Sequence, residues 1–241
     1  MEKIEKYQLL LSFTIISIVI LLSSLIFASK MPKNDNITVT GSASKIVKSD
    51  SASITVYIDS RGGSRKEAYN KIKTQMPVVF EYLSSKGIDK KDIQCKAMNG
   101  HYTYKQNANG YVTDEVSGYN ASQYIVVKSK DVEKIKEIAN DIQNLVNKGI
   151  NIEVEQPEYY YSDLSSIKIN LLKEATKDAK QRAKSMLQAT GSRVGKVSSV
   201  KMGVFQITPP DSTSVSDTGE NDTSTIDKKV TAVANVVFKV K

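Results

Sequence analysis

Cys95 is the only cysteine and His101 the only histidine of the chain. A single thiol excludes an intrachain disulfide and a thiolate cluster for zinc or iron–sulfur. Its surroundings, Ile93-Gln94-Cys95-Lys96-Ala97, alternate like a strand and make Cys95 a small half-buried residue. A histidine-based triad would have to use His101, and no nucleophile elbow accompanies it. Carboxylates stand in pairs at Asp114 and Glu115 and at Glu153 and Glu155. The second pair, two apart, shares one strand face, as exposed strands routinely do. Gly62-Gly63 is too short for a phosphate cradle and lacks the following lysine–threonine pair. These residues assign no catalytic, cofactor-binding or metal-binding role and imply no cofactor. What remains is a basic stripe, Lys173, Lys177, Lys180 and Lys184, at helical spacing. It has the chemistry to meet anionic lipid or wall polymer, though such a stripe is more often simply a solvated helix face.

That stripe lies on a helix expected over Asp163–Thr190. Leu164, Ile167, Leu171, Leu172, Ala175, Ala179, Ala183, Met186 and Leu187 recur every three or four residues. The three alanines stand one above another and let the helix come close to whatever it covers. Gly191 is the expected left-handed cap.

The chain has 241 residues and a formal net charge of +8. Its lysines are spread through every element and no aromatic stacking platforms accompany them, so nucleic acid is not an expected partner. Leu9–Ala28 is a nearly unbroken apolar run, and about 20 helical residues span the hydrocarbon core of a bilayer. Its serines and threonine can bond back to their own helix. Ile26 and Ala28 make a poor cleavage site, so the run reads as an uncleaved signal-anchor. It separates a short tail, 1–8, from a linker, 29–36, and the lysines on its two sides do not decide its orientation.

Beyond the linker, strands are expected at Asn36–Val47, Ala52–Ile58, Ile93–Tyr104, Val112–Lys128, Ile150–Val154, Val194–Ile207 and Val230–Phe238. The polar loop 106–110 makes a hairpin of the third and fourth. Ser64 and Glu67 form a capping box for a helix that carries Pro77, where a kink is expected, and ends at Gly87. Asp131 opens a further helix that Gly149 stops. Thr208–Ile226, Ser/Thr/Asp-rich with Pro209-Pro210, is expected to be a flexible loop dispensable for folding. The order is ββαββαβαββ behind one N-terminal transmembrane helix. That is an α+β fold with a largely antiparallel sheet packed with three helices.

Four segments resemble the SIMPL family, a domain of unknown biochemical activity whose members include bacterial periplasmic immunogenic proteins. They are Ile37-Thr38-Val39-Thr40-Gly41-Ser42-Ala43 with Asp50 and the following strand; Gly87-Ile88 with Asp92-Ile93-Gln94; Gly118-Tyr119-Asn120-Ala121-Ser122; and Ala175/Ala179/Ala183 leading to Gly191 and Val194-Gly195-Lys196-Val197. Ser49 stands where the family usually has proline. The resemblance covers 36–241. Joined to the apolar run, it implies a single-pass protein of the cell membrane whose tail, 1–8, is cytoplasmic and whose C-terminal domain, 37–241, is extracytoplasmic. It further implies a link to envelope or oxidative-stress tolerance, and self-assembly into homo-oligomers. The family supplies no catalytic residues.

The leading expectation is therefore a non-enzymatic binding or self-assembly module of the cell envelope, its protein or envelope partner unknown. An anionic lipid or wall-polymer binder and an enzyme with an unrecognised site are the alternatives.

Overall fold

The computed structural model describes residues 13–26 and 35–241. The expected tail 1–8, the ends of the apolar run and nearly all of the linker lie outside these residues. Residues 13–26 form a helix, α1, with every side chain exposed. Ser17, Ser23 and Ser24 donate their hydroxyls to the carbonyls of Phe13, Ile20 and Leu21. These three serine hydroxyls are thus satisfied within the helix. Among the described residues no helix is long and apolar enough to cross a membrane.

The remaining elements follow the hydrophobic periods of the chain. They are β1 (Asn36–Lys48), β2 (Ser51–Gly62), α2 (Arg65–Ser85), β3 (Ile93–Cys95), β4 (Asn99–Gln106), β5 (Val112–Ser129), α3 (Val132–Asp141), β6 (Ile152–Val154), β7 (Glu158–Tyr160), α4 (Leu164–Gln188), β8 (Val194–Met202), β9 (Gln206–Thr208), β10 (Glu220–Asn221) and β11 (Asp227–Val240). Ser64, Asp131 and Asp163 cap the three long helices by accepting from the backbone N–H three residues on. α2 runs unbroken through Pro77. The stretch after α3 tightens into a 3₁₀ helix, Ile142–Lys148. Gly87, Gly149 and Gly191 have φ of 74°, 79° and 73°. At each, the residue after the glycine donates back five residues, as in Ser192 N–H to Leu187 O at 2.9 Å. This is the left-handed helix stop that glycine permits.

Two sheets are present where one was expected. In sheet A, β11 is central: β1 pairs with it along its length on one side, and β8 and β9 pair with it on the other. In sheet B, β5 and β2 pair centrally, β3 and β4 extend β5, and β6 and β7 extend β2. All pairings are antiparallel except β9 with β10. The expected strand Ile93–Tyr104 breaks because β3 and β4 meet β5 out of phase. Buried Gln123 repairs the break by donating its amide to Lys96 O at 2.6 Å.

Each sheet has a core on one face. Sheet B buries Ile54, Val56, Ile58, Ile125 and Val127 against Val79 and Leu83 of α2 and Ile135 and Ile138 of α3. Sheet A buries Val39, Val230, Ala232, Ala234, Val236 and Phe238 against Ile167, Leu171, Ala175, Ala179, Ala183 and Leu187 of α4. The closest approach is at Gly41. A Cβ built there would stand 2.1 Å from Ala175 O and 2.4 Å from Ala179 N.

The sheets join around the β1–β2 turn. Ser49 N–H donates to Ile226 O at 2.8 Å and Asp50 N–H to Tyr160 O at 2.9 Å. A proline at position 49 would lack the first of these bonds. The Asp50 carboxylate accepts from Ser162 N–H and from Ser162 Oγ at 2.7 Å. Burial opposes its charge, yet the Ser162 bonds hold its carboxyl below the usual range. Tyr159 N–H reaches Thr223 O at 2.7 Å. The end of the 208–226 stretch is therefore built into the joint. Backbone pairing and short polar side chains hold it where apolar burial is absent.

Candidate functional site

The residues that first suggested chemistry are dispersed. Cys95 is exposed on β3, and partial burial of its sulfur pushes the thiol pKa up. Its half-burial was expected from alternation, which the short edge strand does not enforce. His101 lies on the exposed strand β4. Glu115 pairs with Lys105 at 2.9 Å. Tyr57 stacks on Tyr124 with ring centroids 5.4 Å apart. Its hydroxyl donates to Glu153, and that bond pushes the Tyr57 pKa up to about 12. Among the described residues no three His, Cys, Asp or Glu side chains converge in a metal-binding group.

The family-motif positions fall mainly at close approaches. Gly41 meets Ala175 and Ala179. Ala179 and Ala183 are fully buried. Tyr119 and Ala121 of β5 pack with Ala68 and Ile72 of α2. Gly118 lies against Gly62 O, and Gly195 against Lys239 O of the adjacent strand. At Gly195 the close neighbour is the β11 backbone, not the long helix. Gly87 and Gly191 close helices, and Asp50 clips the joint.

Two surfaces stand apart from these packed positions. The first is an arm. β4 and the first half of β5 extend beyond the N-terminal end of α2, and their apolar side chains keep to one face. Tyr102 pairs with Tyr119, and Tyr104 with Val116. The Tyr102 and Tyr119 rings meet edge-on at 4.9 Å. Past that contact Tyr104, Val116, Val112 and Tyr111 are 47–68 % exposed. A single hairpin is marginal in water, and monomers seldom leave such a face open.

The second is a groove beside α4. β8 leaves the Gly191 turn and runs back along the helix. Val197, Val200 and Met202 pair with Phe238, Val236 and Ala234. They therefore share the sheet face that α4 covers, but α4 sits over β1 and β11 and leaves them about half exposed. Lys177, Lys180 and Lys184 of α4, with Arg193 and Val194, line a cavity of about 780 Å³ along this side. Lys173 continues the row and is exposed. Lys177 pairs with Glu174 at 2.8 Å. Among the described residues Lys180 and Lys184 have no carboxylate partner. The two edges of sheet A also differ. On β1, Ser42 N–H is taken by Asp178 of α4 at 2.9 Å, and Arg182 holds Asp178. That backbone bond keeps the Asp178 carboxyl below its ordinary range. β8 pairs with β11, and its residues from Lys196 to Met202 are exposed.

The two faces of α4 should separate under mutation. Ala179→Leu, in the seam, is expected to cost about 1–3 kcal/mol by overpacking. Lys180→Leu, one residue on, should stay within about 0.5 kcal/mol. Denaturant melts of the two variants make the comparison. The reverse order would mean that the helix faces are exchanged.

Sequence reading missed one internal pair. Lys228 is 2 % exposed; its ammonium donates to Asp222 O at 2.6 Å and stands 3.5 Å from the Asp222 carboxylate. The signal was there. Lys228 falls in phase with Val230, Ala232, Ala234, Val236 and Phe238, the inward positions of β11.

A family model described as SIMPL, protein of unknown function (DUF541), matches residues 37–238. An uncharacterized protein, YggE, of Edwardsiella ictaluri is 22% identical over 224 residues, covering 87% of this chain and 90% of that one. A 26 kDa periplasmic immunogenic protein of Brucella melitensis is 24% identical over 166 residues, covering 67% of this chain and 64% of that one.

Proposed function

The chain belongs to the SIMPL family, and from that premise we propose a membrane-tethered extracytoplasmic module that works by binding and self-association, without catalysis. The β4–β5 arm carries this reading. Its row of Tyr102, Tyr104, Val112 and Val116 needs a cover that the described chain does not provide. The periplasmic description of the Brucella relative supports placement outside the cytoplasm. The tether is Leu9–Ala28, a single pass that holds the domain at the outer face of the membrane. Its apolar length and the self-satisfied serines of α1 support it. Stress tolerance of the envelope is the process such a scaffold would serve.

The test is the mass of residues 35–241 by size-exclusion chromatography with light scattering. An oligomer is expected, which Tyr104→Ser with Val116→Thr weakens without lowering the melting temperature. A monomer at every concentration would overturn self-association. The tether is tested by the intact mass of the protein extracted from native membranes. A mature chain beginning near Ser29 would defeat it.

A further inference from the structure

We propose that the groove between α4 and β8 receives the acidic 209–222 loop of a second copy of this chain, a head-to-tail contact that rests on the self-association reading. The cavity wall is basic, with Lys180, Lys184 and Arg193, and beyond Val194 the same sheet face continues as the half-exposed apolar row Val197, Val200 and Met202 of β8. The complementary surface is present in the same chain. Residues 209–227 carry Asp211, Asp217, Glu220, Asp222 and Asp227 and no basic residue. Asp211 and Asp217 are exposed, and between them Val215 is 77 % exposed, the most exposed large apolar side chain among the described residues. An apolar knob flanked by carboxylates matches an apolar row next to a basic wall.

The loop is presented for this contact. Buried Gln206 holds it at three points, donating to Ser216 O at 2.7 Å and accepting from Ser216 N–H at 3.4 Å and Glu220 N–H at 3.0 Å. That anchorage spreads the loop over Ser42, Ser44, Lys229 and Thr231. Those residues alternate with Ala43, Val230 and Ala232, which face α4, so the loop covers the opposite face of sheet A. A chain's own loop therefore does not reach its own groove. A contact between different surfaces on opposite sides of one sheet propagates from copy to copy, closing into a ring or continuing as a filament.

The full chain in detergent provides the test, read by light scattering at low and high salt. The assembly is expected to dissociate as salt rises. Lys180→Glu with Lys184→Glu, or Asp211→Lys with Asp217→Lys, should each weaken assembly by roughly tenfold or more with melting temperature unchanged. Mixing the two variants should restore association, because each reversed surface then meets a reversed partner. Assembly of either variant at wild-type strength, or no recovery on mixing, overturns the contact. Loss of binding to phosphatidylglycerol vesicles by the Lys→Glu variant, with assembly intact, would reassign the groove to the membrane surface and also overturn it. If only Tyr104→Ser with Val116→Thr dissolves the assembly, self-association stands and this contact falls.

Discussion

Gly41→Ala is expected to destabilise the domain by about 3 kcal/mol, the upper end of what one added methyl costs in a packed seam. The reason is where the methyl lands. Its neighbours at 2.1 and 2.4 Å are backbone atoms of Ala175 and Ala179, so no rotamer change makes room. The helix itself must lift from β1, and the Val39 and Phe238 contacts beneath it loosen with it. Two comparisons sharpen the test. Ser42→Ala, one residue on, should stay within about 0.5 kcal/mol, since Ser42 meets α4 through its backbone N–H. Ala179→Gly should not rescue Gly41→Ala, because the obstructing atoms belong to every residue type. Urea denaturation of residues 35–241 gives these values. A Gly41→Ala loss well under about 1 kcal/mol would show that α4 is free to slide.

Asp222→Ala carries the second large effect. It removes the carboxylate beside an ammonium group that is 2 % exposed, and orphaning one partner of a buried pair costs about 3–5 kcal/mol. Two features hold the cost at the lower end. The Lys228 bond to Asp222 O survives the substitution, and burial already lowers the Lys228 pKa, so the amine sheds its proton more readily. Lys228→Met should cost much less, because Asp222 keeps its Ser224 and Thr225 donors. Burial opposes the Asp222 charge, yet those donors and Lys228 bring its pKa from 3.8 down to about 2. A folded-state value below the unfolded one adds stability that is complete above the unfolded pKa and lost as the carboxylate protonates. Wild-type stability should therefore fall by roughly 2 kcal/mol between about pH 4 and pH 2, and the Asp222→Ala variant should lack that component. A variant with the same acid slope as wild type would remove Asp222 from the joint.

The elements that could be read from the sequence are those set by near neighbours in the chain. The even-numbered row of β2 and β11, the caps at Ser64, Asp131 and Asp163, and the glycine stops are all local devices. Pairing partners are not. Nothing in the period of Val112–Ser129 says that two short strands will share its edge, and β9 and β10 are held by Gln206 and a few backbone bonds. Low apolar content made 208–226 look unanchored. A stretch with no core of its own can still be fixed by the polar groups of its surroundings, as Asp222, Thr223 and Ile226 are. The basic row on α4 was visible as spacing. Its apolar neighbour was not, because Val197, Val200 and Met202 alternate as core residues do and only the position of α4 leaves them bare.

The pairing of β1 with β11 also decides how the domain bears mechanical load. β1 is reached directly from the preceding chain at Asn36 and hands over to sheet B at Lys48. Its partners run from Lys239 at the first end to Asp227 at the second. A pull from the N-terminal side, resisted by something gripping sheet B, runs through the covalent backbone of β1 from one end to the other and does not peel its rungs from β11. A pull between the two chain termini is different. Asn36 and Lys239 are opposite one another, so that force opens the ladder one rung at a time. Sheet B, with its arm, is thus the strong point from which the domain resists being dragged, and the chain termini are the weak one.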